Sequence, residues 1–133
     1  MTVPEGSSHI LIVDDDEGIS ITLSDILELN GYSVTIAMDA SEALGKVEKG
    51  GFDLVLIDMK LLDMDGISLM KKIKGIDPDI CCIMVTGHES SQCETEAVQA
   101  GAYSYLTKPF ERDELLSTLK ETIVLQRPHT DLD

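Results

Sequence analysis

Basic residues are scarce in this chain. Ten Lys and Arg stand against 25 Asp and Glu, and the 133 residues carry a net charge of −15. A surface so acidic repels nucleic acid and anionic lipid, which argues against direct DNA binding or electrostatic membrane attachment by this chain. Cysteine is also sparse. Cys81, Cys82 and Cys93 are odd in number and lack Cys-x-x-Cys spacing, which excludes a disulfide framework. Adjacent Cys81 and Cys82 should point to opposite faces of a strand as reduced core thiols, as expected of a cytoplasmic protein. His9, His88 and His129 are scattered and form no zinc pattern. No apolar run approaches the ~20 residues of a membrane span. The start "MTVPEGSSHI" has neither the basic region nor the apolar stretch of a signal peptide. Internal repeats and low-complexity segments are absent too.

What is present is an ordinary apolar fraction of 43% on a chain long enough for one domain. A chain of this size buries roughly two thirds of its unfolded surface. Residues 1–8 and 127–133 are polar and expected to fray, the latter as a tail or the start of a linker. Between them, over 9–126, the apolar period alternates. "HILIV" (9–13), "LVLI" (54–57) and "CCIMV" (81–85) are continuous apolar runs, whereas "YSVTIA" (32–37) and "YSYLT" (103–107) carry polar alternate positions. Helical spacing appears in Ile19, Leu23, Ile26 and Leu27, with Gly31 placed to end that helix. Ala40, Ala43, Leu44 and Val47 form a second stripe, with Asp39 and Glu42 at capping-box spacing. Ile67, Met70 and Ile73 mark a third. The stretch 89–100 is a weak, polar helix anchored by Ala97, Val98 and Ala100, and Leu115, Leu116, Leu119, Ile123 and Val124 make the last.

Five β-α units imply a parallel sheet with helices on both faces. Continuous apolar strands are those covered on both faces, so the first, third and fourth are central and the second and fifth are edges. That pattern matches the doubly wound α/β order 2-1-3-4-5 of flavodoxin-like folds. Functional sites of such sheets lie beyond the carboxyl ends of the strands, at the switch point between strands one and three.

The residues that converge there are Asp14, Asp15 and Asp16 after the first strand, Asp58 after the third, Thr86 and Gly87 after the fourth, and Lys108 and Pro109 after the fifth. An Asp where a strand becomes a turn has an ordinary explanation, because its side chain caps nearby amides. Several together do not. Two like charges ~4 Å apart cost about 4 kcal/mol at an effective dielectric near 20. Oxygen ligands with access to water suit Mg2+. Lys108 and the Thr86 hydroxyl can face a phosphoryl group, and Gly87 leaves room for it. The set suits attack by a carboxylate on phosphorus, aided by a metal and an ammonium.

The pieces "ILIVDDD", "LVLIDMKLLDMDG", "MVTG" and "YLTKPF", in that order at the strand ends, closely resemble the receiver domain of bacterial response regulators over about residues 9–126. The resemblance implies that Asp58 is the phosphoacceptor, fed by a phosphohistidine on a sensor histidine kinase or a histidine phosphotransfer protein, and that slow autodephosphorylation follows. It implies Mg2+ ligation by Asp15, Asp58 and the backbone carbonyl of Lys60, with Asp14 acting chiefly through bound water. Thr86 and Lys108 would hold the phosphoryl oxygens, and Tyr105 would report phosphorylation through its rotamer. The fourth helix, fifth strand and fifth helix would then present a new face to an output domain, a partner protein or a second copy of the chain.

Some positions read two ways. Leu62 stands where the family usually has proline, so the loop after Asp58 is expected to be less rigid. The Asp16 side chain reads better as a solvated turn than as a ligand. Lys60 and His88 are plain exposed side chains or, by resemblance, residues that tune phosphoryl lifetime. Tyr105 is packing or switch. A haloacid-dehalogenase-type phosphatase also uses a strand-tip Asp, but wants a second Asp where Lys60 stands. A flavin mononucleotide carrier needs a first loop that cradles phosphate, which "DDDEG" would repel. A pseudo-receiver used only for docking is the remaining alternative.

Overall fold

The computed structural model describes residues 8–59, 61, 63–86, 91–107 and 111–126, those at 91–94 and 123–126 by backbone alone. The three continuous apolar runs form the centre of one sheet, as β1 (His9–Val13), β3 (Leu54–Asp58) and β4 (Cys81–Thr86). The runs with polar alternate positions, β2 (Ser33–Ala37) and β5 (Ser104–Thr107), lie outside them. The order is β2-β1-β3-β4-β5, with every neighbouring pair parallel. Five helices connect them: α1 (Glu17–Leu29), α2 (Ala40–Lys49), α3 (Gly66–Ile76), α4 (Ser91–Ala100) and α5 (Arg112–Gln126). This is the doubly wound α/β architecture expected from the apolar pattern.

Strand pleating divides the core in two. Leu11, Val13, Val55, Ile57 and Met84 pack under α2, α3 and α4, whereas Ile10, Ile12, Leu54, Leu56 and Ile83 pack under α1 and α5. Cys82 joins the first cluster and Cys81 the second, both as free thiols. Burial pushes the Cys82 thiol up to about 12, so it stays protonated and inert at neutral pH. Each fully buried Leu or Ile stabilises the fold by roughly 2 kcal/mol.

Local signals set the helix ends. Asp39 caps α2 by accepting from Glu42 N at 2.8 Å, and Glu42 Oε1 reaches back to Met38 N, one residue beyond the expected partner. Gly31 follows α1 at φ 93°, a conformation that favours glycine, and its N–H donates to Glu28 O. Two expectations need correcting. Val98 does not anchor α4: it is 56% exposed, while neighbouring Ala97 is buried. A residue one step along a helix turns by about 100°, so both cannot face the sheet. The fifth strand begins at Ser104, leaving Tyr103 outside it and 44% exposed.

Candidate functional site

β1 delivers its acidic run to the C-terminal end of the sheet and holds it there by backbone bonds. Asp14 N donates to Ala37 O at 3.2 Å, tying the tip of β1 to the tip of β2. Ser20, fully buried in α1, donates from its hydroxyl to Asp14 O at 3.2 Å. Asp16 N donates to Asp14 Oδ1 at 2.9 Å, and Asp14 is only 3% exposed. Asp16 has a task of its own: its side chain caps α1, accepting from Ile19 N at 3.1 Å. A cap of this kind contributes about 1 kcal/mol. The solvated turn expected for Asp16 is thus a helix cap.

Asp58 is the last residue of β3, paired in register with Val85 of β4. Its carboxylate meets those of Asp14 and Asp15, with one oxygen of each within 4.8 Å of the others. At that spacing each pair of charges costs about 3.5 kcal/mol at an effective dielectric near 20. The donors are all carboxylate oxygens, with no imidazole or thiolate among them, which is the chemistry of a hard cation such as Mg2+. The residues therefore fit the metal that the sequence implies. Thr86 ends β4 beside them, 8% exposed.

Tyr105 lies on β5 opposite Met84, packed against the core beneath α2, α3 and α4. The pleat sets Thr86, two residues after Met84, on that same face of the sheet. Lys60, Leu62, Gly87, His88, Lys108 and Pro109 lie outside the described residues.

The loop after Asp58 returns to α3 through contacts that no sequence period announces. Met59 N donates to Val85 O, and Gly66 N closes back onto Met59 O, both at 2.9 Å. Gly66 allows this closure because a Cβ there would stand 2.6 Å from Asp58 O and 2.9 Å from Met59 Cα. Asp65 caps α3, accepting from Ser68 N and from the Ser68 hydroxyl, and these bonds hold its carboxyl below the usual aspartate value. Asp63 reaches across to α2 and accepts from Ala40 N at 3.0 Å and Ser41 N at 3.3 Å. The Ala40 bond foremost lowers its pKa. Ser20, Asp63, Asp65 and Gly66 were missed as supports of the site. The Asp65–Ser68 spacing was the one available signal, since it is that of a helix cap.

Fold and site together define a flavodoxin-like α/β domain with an acidic cluster at its topological switch point. Residues 10–120 match the family model of the response regulator receiver domain, and the chain belongs to that family. It is the receiver domain of a two-component response regulator. The transcriptional regulatory protein ZraR of Salmonella typhimurium is 38% identical over 122 residues, covering 92% of this chain and 28% of that protein. The chain therefore spans little more than a quarter of such relatives. A CheY-like receiver domain protein from Methanospirillum hungatei superposes with a TM-score of 0.86 at 42% identity, covering 90% of this chain and 96% of the other. NtrX from Brucella abortus, solved in complex with ATP, gives 0.85 at 30% identity, over 90% of this chain and 28% of its own. The phosphatase reading is left without support. Receivers of this family are in general phosphoacceptor switches, not conventional enzymes. Among the described residues no helix is long and apolar enough to cross a membrane.

Proposed function

We propose that Asp58 is the phosphoacceptor of this receiver and takes its phosphoryl group from a phosphohistidine on a sensor histidine kinase or a histidine phosphotransfer protein. A carboxylate oxygen of Asp58 attacks phosphorus, the bond from phosphorus to the donor imidazole nitrogen breaks, and the imidazole leaves with the electron pair. The observation that carries the reading is the meeting of the Asp14, Asp15 and Asp58 carboxylates within 4.8 Å at the switch point. Asp15 and Asp58, with the backbone carbonyl of Lys60, would hold Mg2+, and Asp14 would act through bound water. Mg2+ in that place supplies a Lewis acid that draws charge from the phosphoryl oxygens. Thr86 and Lys108 donate hydrogen bonds to those oxygens, and Lys60 and His88 set the rate at which water later removes the group.

Readout runs through Thr86 and Tyr105. When the Thr86 hydroxyl turns toward phosphorylated Asp58, it vacates space on the face where Tyr105 packs, and Tyr105 moves in. The surface of α4, β5 and α5 then changes for an output domain, a partner protein or a second copy. The Ala97–Val98 pattern favours this: among residues 95–100 of α4, whose side chains are described, only Ala97 is buried, and a sparsely anchored helix shifts readily. Any effect on genes goes through such a partner, since the charge of −15 opposes direct contact with DNA. The test is intact-mass spectrometry after incubation with acetyl phosphate and Mg2+. The wild type should gain one phosphoryl group and Asp58→Asn none, at unchanged circular dichroism. Undiminished labelling of the variant would remove Asp58 from its role.

A further inference from the structure

The geometry points to Asp63 as a positioning residue for the carboxylate site, a role that rests on the proposed function of Asp14, Asp15 and Asp58. Asp63 belongs to the loop that follows Asp58, yet its carboxylate is spent on another element. It accepts from Ala40 N at 3.0 Å and from Ser41 N at 3.3 Å, the first two amides of α2. Asp39 takes the third, Glu42 N, at 2.8 Å. A helix N-terminus favours negative charge, so the start of α2 is a strong anchor for a carboxylate arriving from elsewhere.

The anchor closes a circuit. From Asp58 the chain runs to Asp63, whose carboxylate grips the start of α2. Three residues before Ala40, Ala37 O accepts from Asp14 N at 3.2 Å. The tips of β3 and β1, which carry Asp58 and Asp14, are therefore linked twice: directly through their pairing in the sheet and again around the α2 side through Asp63. The base of the loop is fixed independently by the Gly66 N bond to Met59 O at 2.9 Å. With the base pinned, the Asp63 grip sets how far the loop can lift from the site. Loss of the grip should let the Asp14 and Asp58 carboxylates drift apart and weaken their joint hold on a divalent cation.

The measurement is Mg2+ affinity by isothermal calorimetry, with no phosphodonor present, on the wild type, Asp63→Ala, Asp63→Asn and Asp53→Ala. Asp53 bonds His9 N at 2.8 Å at the opposite end of the sheet and serves as the control for plain destabilisation. Asp63→Ala should weaken Mg2+ binding about tenfold, the lower end of what removal of ligand-orienting groups costs. Asp63→Asn keeps an oxygen acceptor without the charge and should recover roughly half of that loss on a logarithmic scale. Asp53→Ala should bind as the wild type does. An Asp63→Ala affinity equal to wild type overturns the inference. So does an Asp63→Asn as weak as Asp63→Ala, which would reduce Asp63 to a distant charge, and so does an equal loss in Asp53→Ala. If the wild type binds no Mg2+, the metal site itself falls, a result distinct from all of these.

Discussion

The two ends of the sheet are built from similar residues and treat them in opposite ways. At the N-terminal end of the strands several charged or polar groups meet complementary partners. His9 N donates to Asp53 Oδ2 at 2.8 Å, Asp53 N donates to His9 O, and the His9 ring bonds the Thr35 hydroxyl at 2.8 Å. Phe52 lies against that ring at 4.5 Å, and Lys74 Nζ donates to Ile80 O at 2.9 Å. At the C-terminal end three carboxylates are gathered close to one another, and one of them, Asp14, is 3% exposed and accepts from Asp16 N. Bonding of the first kind tightens a fold. Gathering like charge works against it, by about 3.5 kcal/mol per pair at an effective dielectric near 20, and a cation bound there would offset that repulsion. The difference sets the end proposed to do chemistry apart from the opposite end of the sheet.

The largest effect is expected at Gly66, beside the carboxylates. Gly66→Ala should cost about 3 kcal/mol of stability, the upper range for overpacking, because the new methyl meets main-chain atoms of Asp58 and Met59, which cannot swing aside. Urea unfolding gives the value, and a loss under about 0.5 kcal/mol would show that the loop relaxes. A smaller effect is expected at the other end. Lys74→Met should lose about 1 kcal/mol with its hydrogen bond to Ile80 O, while leaving any response to Mg2+ untouched. A changed Mg2+ response would contradict the division between the two ends. The smallest effect is in acid. The Asp65 carboxyl sits below the ordinary value of 3.8 through its bonds from Ser68, so its stabilising contribution is complete above that value and is lost below it, as pH falls through the lower folded-state value. Asp65→Asn should flatten the decline in urea midpoint from about pH 5 downward. An unaltered decline would mean that Asp65 takes no part in acid unfolding.

Much of this was legible before any coordinates. The continuous runs His9–Val13, Leu54–Ile57 and Cys81–Val85 announce strands covered on both faces, which puts them at the centre of the sheet. Asp58 was visible as a charge carried to a strand tip. What the sequence hid are contacts between elements distant along the chain. Asp63 finds α2 more than twenty residues away. Ser20 holds Asp14 from inside a helix whose apolar stripe passes beside it. Gly66 is required by close approach, not by a turn. None of these has a period, and each depends on which backbone atoms the packed elements bring together. Val98 failed for the opposite reason: an apolar residue on a sparse helix resembles an anchor until the direction of its neighbour Ala97 is known.

The central proposal is that, among the described residues, the C-terminal end of the sheet is the cation site. Amide chemical shifts of the labelled chain, followed through a Mg2+ titration, test it directly. Saturable shifts should appear at Asp14, Asp15, Asp58, Met59 and Thr86, while His9, Asp53 and Lys74 stay still. Shifts of equal size at Asp53, Asp77 and Asp79, or none at the Asp14–Asp15–Asp58 cluster, would contradict it.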